Sequence, residues 1–379
     1  SRAEFDTDGK IIKTADLFFL GGGIDVSKSR NKYASFFEIE KDFLESFSLR
    51  VAGRYEDFGN DSSFDPKLSV KYIANNNLTI RASKSSSFSM PSMAQMFSSD
   101  INLGSVRDFN GTSPFVRQAQ IGNPNLKPAT SNNNNLGFIF NTGGQRLTVD
   151  LWDIDYKNRI EVQSAQAMLL SNPNGLSITR NIEGDLIGIT TTYFNETNTE
   201  VSGFDLSYEA LINLEKNGVI AFAIKGTSIN KFLTPNNKIN VVEEEHHNKM
   251  INRVGKYNYD ANTHSLPKKR VNIFINWDYL NYSIGLNARH IDGYKNSRPI
   301  SGLGLEYGYK SRVESFLVFD LYSSKLISTK NGALNMKFSI TNIFDESAPR
   351  LYDAPDFSFD TRVHDPRGRI IGLSLEYRH

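Results

Sequence analysis

The chain of 379 residues carries 43 Lys and Arg against 42 Asp and Glu, a formal net charge of +1, with 12% aromatic residues and no cysteine. Balanced charge gives no global field for nucleic acid, and zero cysteine excludes a disulfide framework and thiolate metal sites. No run approaches the roughly 18 consecutive apolar residues of a membrane helix, so a helical membrane protein is excluded. Ser1 opens the chain without a basic or apolar leader, so any secretion signal is expected to be removed or to lie outside this fragment.

In chain order, period-two alternation first appears where Phe47, Leu49, Val51 and Tyr55 interleave with Ser48, Arg50, Ala52 and Arg54, the pattern of a strand with one apolar and one polar face. It recurs at Phe204, Leu206, Tyr208, Ala210 and Ile212 against Asp205, Ser207 and Glu209, and at Val271, Ile273, Ile275, Trp277 and Tyr279 against Asn272, Asn276 and Asp278. Leu334, Met336, Phe338 and Ile340 oppose Asn335, Lys337, Ser339 and Thr341, and Ile371, Leu373, Leu375 and Tyr377 close the chain the same way. The scan predicts about fourteen strands, many longer than the ~5–6 residues of soluble sheets.

The links between them alternate in length. Short links fall at 42–45, 75–77, 142–145, 215–217, 281 and 327–332; long ones span 88–130, 161–198, 232–267, 293–312 and 343–368, with one short exception at 59–62. A bacterial membrane barrel has short periplasmic turns and long outside loops, so the parity predicts that architecture and puts His379 at the periplasmic rim. A repeated polar face of Ser, Asn, Asp, Arg and Glu suits a wet lumen, whereas unpaired polar groups in a dry core cost ~1–3 kcal/mol each. The expected fold class is therefore all-β, a transmembrane antiparallel β-barrel.

The closing segments Val318-Phe319-Asp320-Leu321-Tyr322, Phe338 through Glu346, and Asp365-Pro366-Arg367-Gly368-Arg369 resemble those of TonB-dependent outer-membrane transporters. The likeness extends upstream through Tyr33 to Glu38, Ala52-Gly53-Arg54-Tyr55-Glu56, Pro66-Lys67-Leu68, Arg81-Ala82-Ser83, Ser87 to Ser92 and Gly122 to Pro128. Two positions depart from the pattern: Ala129 stands where Glu is usual, and His379 replaces the terminal Phe. The resemblance implies a barrel of about 22 strands, a lumen-filling N-terminal plug, and energy from TonB through an N-terminal segment. This chain then reads as the C-terminal portion of the barrel, with the plug and first strands missing. The implied partners are TonB, outer-membrane lipid, the barrel-assembly machinery and a scarce nutrient: ferric siderophore, cobalamin, oligosaccharide or peptide. The implied location is the outer membrane of a Gram-negative bacterium.

Candidate binding residues follow from parity. Arg50, Arg54, Arg81 and Arg289 project to the polar side, where pairing with carboxylates such as Asp205 and Asp320 competes with solute contact. Arg54, Arg81 and Arg289 are the substrate candidates, joined by Phe88 and Phe97, which with Phe109 and Phe115 could form an outside rim. Glu243-Glu244-Glu245-His246-His247 could hold a metal, but adjacent residues on an extended chain point oppositely, so a solvated charge run is the better reading and no metal site is expected. His264 and His290 stand isolated. Gly21-Gly22-Gly23 reads as a loop apex. No catalytic motif is present, so neither an enzyme nor a cofactor is expected. The rivals are a passive porin, an outer-membrane barrel enzyme and a soluble β-rich binding protein.

Overall fold

The computed structural model describes residues 4–5, 11–12, 22–23, 26–59, 61–235, 250–258, 264–297, 310–351 and 358–378. Thirteen long strands carry the fold: β1 Tyr33–Leu44, β2 Phe47–Asp57, β3 Ser62–Ile73, β4 Leu78–Ser89, β5 Ala129–Thr142, β6 Gln145–Val162, β7 Leu186–Asn213, β8 Val219–Pro235, β9 Lys269–Tyr279, β10 Tyr282–Ile291, β11 Phe316–Thr329, β12 Gly332–Thr341 and β13 Ile370–Arg378. Each pairs antiparallel with the next in one continuous meander, and five shorter segments bring the sheet to eighteen strands. Two short helices, α1 Met93–Phe97 and α2 Ala165–Ser171, sit in the long links.

The ladders show why alternation in the sequence becomes two faces in space. One row of directly opposed residues runs Phe140, Leu147, Tyr208, Ile224, Ile273, Ala288 and Phe319 across β5 to β11. A row of the other parity runs Asp42, Ser48, Lys71, Arg81, Gly137, Asp150, Asp205, Thr227 and Arg270 across β1 to β9. That polar row starts at the short-turn end of β1 and finishes at the long-loop end of β9, so the strands are staggered, the shear that tilts strands in a barrel. Leu373 is 68% exposed and Ile371 65%. An apolar face this extensive is unstable in water, and it is the lipid face; the opposite face is the lumen.

Short and long links alternate as the sequence reading expects. Gly143 and Gly144, with φ of 51° and 80°, make the tight β5–β6 turn, a conformation that matches strand twist and favours glycine. Two differences emerge. β7 begins at Leu186, not after Asn198, because the strand extends outward and its residues Gly188–Thr192 pair in parallel with Arg117–Ile121. Gly22 and Gly23 form a short strand opposite Ile101 and Asp100, not a loop apex. Among the described residues no ladder joins β1 to β13, and every residue of β1 is exposed.

Leu206 on the lipid face and Ser207 on the lumen face test the assignment. Leu206→Arg should cost ~2–4 kcal/mol near the bilayer midplane and lower the folded fraction seen by heat-modifiable migration of the full-length protein, while Ser207→Arg costs less. Equal penalties would contradict the two-face assignment.

Candidate functional site

The lumen wall is built of ion pairs across strands. Arg81 on β4 reaches over β5 to Asp150 on β6, with Nη2 donating at 2.6 Å to Oδ2 and 2.8 Å to Oδ1. Gly137 makes that crossing possible: a Cβ there would lie 2.3 Å from Asp150 Oδ1 and 2.6 Å from Arg81 Nε. Arg289 on β10 forms a bidentate pair with the buried Asp320 on β11, at 2.8 and 3.0 Å, and the Asn342 N–H donates to the same carboxylate at 2.9 Å. Arg54 donates at 2.6 Å to Glu56 on its own strand, and Lys32 joins that carboxylate at 2.7 Å. Asp205 accepts from the Thr227 hydroxyl at 2.6 Å, not from an arginine. Each of the three candidate arginines thus has a carboxylate partner.

The candidate aromatics lie elsewhere. Phe88 occupies the lipid parity of β4, its ring 5.9 Å from Phe58. Phe97 ends α1 beneath the Lys28 ammonium, 5.6 Å from the ring centroid. Phe109 and Phe115 are 67% and 66% exposed. The four are spread over the outside and make no common rim. Glu243 through His247 lie outside the described residues. Desolvation, aided by Arg362 and opposed by Asp360, lowers the pKa of His264, and His290 contacts Asp292 at 3.0 Å.

Two folded clusters stand above the strands. In the first, Val106, Val116, Leu169, Leu186 and Ile189 pack into an apolar core between the β4–β5 and β6–β7 links. Arg180 locks it, donating to both oxygens of buried Asp108 at 2.7 and 2.8 Å and stacking 4.9 Å above the Phe109 ring. The Arg180 guanidinium holds the Asp108 carboxyl below its usual range against the opposing effect of burial. Gln166 clasps the Arg107 backbone, accepting from its N–H and donating to its carbonyl.

In the second, three further links meet at Tyr294, which is fully buried with Val313 and Leu351. Its hydroxyl donates to Asp360 at 2.8 Å, and its ring stacks on His364 at 6.1 Å. Phe316 meets the other side of that imidazole edge-on at 5.4 Å. Burial, aided by Arg270 and opposed by Asp360, pushes the His364 pKa down to about 4. Beside it, the half-buried Asp365 is held at about 2 by Arg367, whose guanidinium binds it at 2.7 Å. Sequence reasoning singled out none of these partnerships; apart from Asp365 and Arg367, two residues apart, the paired side chains lie far from each other along the chain.

The sequence pattern described as TonB dependent receptor-like, beta-barrel matches residues 5–343. The chain belongs to that family. A search of curated proteins finds no match. Among solved structures, the ferric enterobactin receptor PfeA of Pseudomonas aeruginosa in complex with BCV-L6 is 17% identical with a TM-score of 0.62, over 93% of this chain and 46% of that one. The siderophore receptor PirA of Acinetobacter baumannii is 17% identical with a TM-score of 0.60, over 91% of this chain and 45% of that one. The copper transporter OprC is 12% identical with a TM-score of 0.55, over 91% of this chain and 48% of that one. At such identities the likeness is one of fold, and the chain spans less than half the length of each structure.

Because His364 is held neutral when folded, protonation opposes the second cluster. The cluster is at full strength above the ordinary histidine pKa of ~6.5 and weakens as pH falls from there toward about 4. Protection factors of amides around Tyr294, corrected for the intrinsic exchange rate at each pH, should fall over that window in the full-length protein, and His364→Leu should flatten the profile. Unchanged pH dependence in that variant would refute the assignment.

Proposed function

We propose that this chain forms the C-terminal part of the wall of an outer-membrane importer that takes up a scarce solute at the expense of TonB and does no chemistry on it. The observation that carries the reading is the joint arrangement of a lipid face, a polar lumen face and long links folded into clusters on one side only, in a chain of the TonB-dependent receptor family. Ferric siderophore, cobalamin, oligosaccharide and peptide remain the solutes to compare; the ferric enterobactin, siderophore and copper for which PfeA, PirA and OprC are named support a search that begins with iron chelates and copper.

The sheet edges bear on the rest of the proposal. Thirteen alternating strands leave β1 and β13 running in the same direction, so pairing them directly would be parallel. Closure by antiparallel pairing needs an odd number of further strands, about nine for a total of about 22. In our reading those strands and a lumen-filling plug belong to polypeptide outside this chain, as does the segment that meets TonB. Open edges in hydrocarbon would otherwise leave unpaired backbone groups costing several kcal/mol each.

Uptake by the full-length protein, measured in cells with and without functional TonB, decides between this reading and a passive porin. Active import predicts accumulation only where TonB works. TonB-independent accumulation, or a constant open conductance of the full-length protein in planar bilayers, would overturn it.

A further inference from the structure

Around the β2–β4 part of the lumen wall Arg50 and Arg81 are matched by carboxylates, but Lys67 and Lys71 are not. Arg50 meets Glu40 at 2.5 Å, and Arg81 meets Asp150 at 2.6 Å. Lys67 and Lys71, on the lumen parity of β3, have no ion pair among the described residues. On their own strand Asp65 already accepts from the Ser63 and Ser86 hydroxyls at 3.0 and 3.2 Å, and Asp42, in the same row as Lys71, accepts from the Ser48 hydroxyl. Lys71 stands directly opposite Arg81 on β4 and Ser48 on β2, and a cation opposite a cation is an unfavourable cross-strand pair. Lys67 stands between Ala52 and Ser85.

These side chains share one space. Arg50, Lys67, Lys71 and Arg81 line a hollow of about 410 Å³, with the hydroxyls of Ser48 and Ser83 as further lining. That volume lies in the range of small-ligand sites. Four cationic heads with the Ser83 hydroxyl, and a single lining carboxylate, Glu40, that is already committed to Arg50, form the donor set that carboxylate or phosphate oxygens require. Farther out on the same face, Lys32 and Arg54 share the single carboxylate Glu56, so the cationic character continues toward the outside.

We propose that Lys67 and Lys71 bind an anionic, carboxylate- or phosphate-bearing group of the transported solute as it passes the β2–β4 wall. This rests on the import reading and narrows its solute to an anion. The free charges at the site are lysines; the arginines position the wall through Asp150 and Glu40.

Citrate serves as the anionic probe and trehalose as the neutral one, titrated calorimetrically into purified full-length protein whose folding is checked by heat-modifiable migration. Citrate should bind, at least tenfold more weakly in Lys67→Gln/Lys71→Gln, with affinity restored in Lys67→Arg/Lys71→Arg and kept in Lys225→Gln, which alters a lumen lysine paired with Glu209. Affinity of the unaltered protein should also fall as NaCl rises, a readout that survives if a variant misfolds. No citrate binding, equal affinity in the Gln variant, salt-independent binding or equal binding of trehalose overturns the proposal. So does a Gln variant that only opens a conductance while citrate affinity is unchanged, the result expected if the lysines hold a plug carboxylate. Binding is measured without TonB, so this test can fail while the import reading stands.

Discussion

A backbone that crosses hydrocarbon must satisfy its own N–H and C=O groups, and every other feature of this chain follows from how it meets that demand. The ladders from β1 to β13 do so strand by strand. Once the backbone is fixed as pleated sheet, successive side chains have only two directions available. The sequence then has one choice to make at each step: lipid or lumen. Phe204, Leu206 and Tyr208 take the first, and Asp205, Ser207 and Glu209 the second.

The lumen face is polar without being loose. Arg81 and Asp150 are held together over a glycine that leaves room for the guanidinium, and Asp320 is secured by Arg289, Asn287 and a backbone N–H. Such pairs orient a wall, and beside them on β3 Lys67 and Lys71 are left without an ion pair among the described residues. Outside the bilayer the problem changes. There the links are in water and build small apolar cores of their own, each closed by a buried polar contact: Arg180 with Asp108, Tyr294 with Asp360.

How much of this was legible in the sequence depended on distance along the chain. Alternation is local, so the faces, the link parity and the lumen position of Arg54, Arg81 and Arg289 could be read directly. The same parity count from Leu78 and Ile80 would have put Phe88 toward lipid, and from Leu68 and Val70 would have put Lys67 and Lys71 toward the lumen. The start of β7 was hidden because Thr190, Thr191 and Thr192 carry no apolar alternation. The outer clusters were hidden for a different reason. Arg180 and Asp108 are 72 residues apart, and Tyr294 and Asp360 are 66 apart, so neither pair leaves a local pattern.

With no cysteine in this chain, the two faces can be measured directly once any cysteine elsewhere in the full-length protein is replaced. Single cysteines placed one at a time from Phe204 to Glu209, spin-labelled in full-length protein in bilayers, can be probed with oxygen, which enriches in lipid, and with a water-soluble nickel chelate. The account predicts that accessibility to oxygen peaks at 204, 206 and 208, and that no such peak occurs at 205, 207 and 209. Equal oxygen accessibility at all six positions, or nickel accessibility highest at 204, 206 and 208, would contradict it.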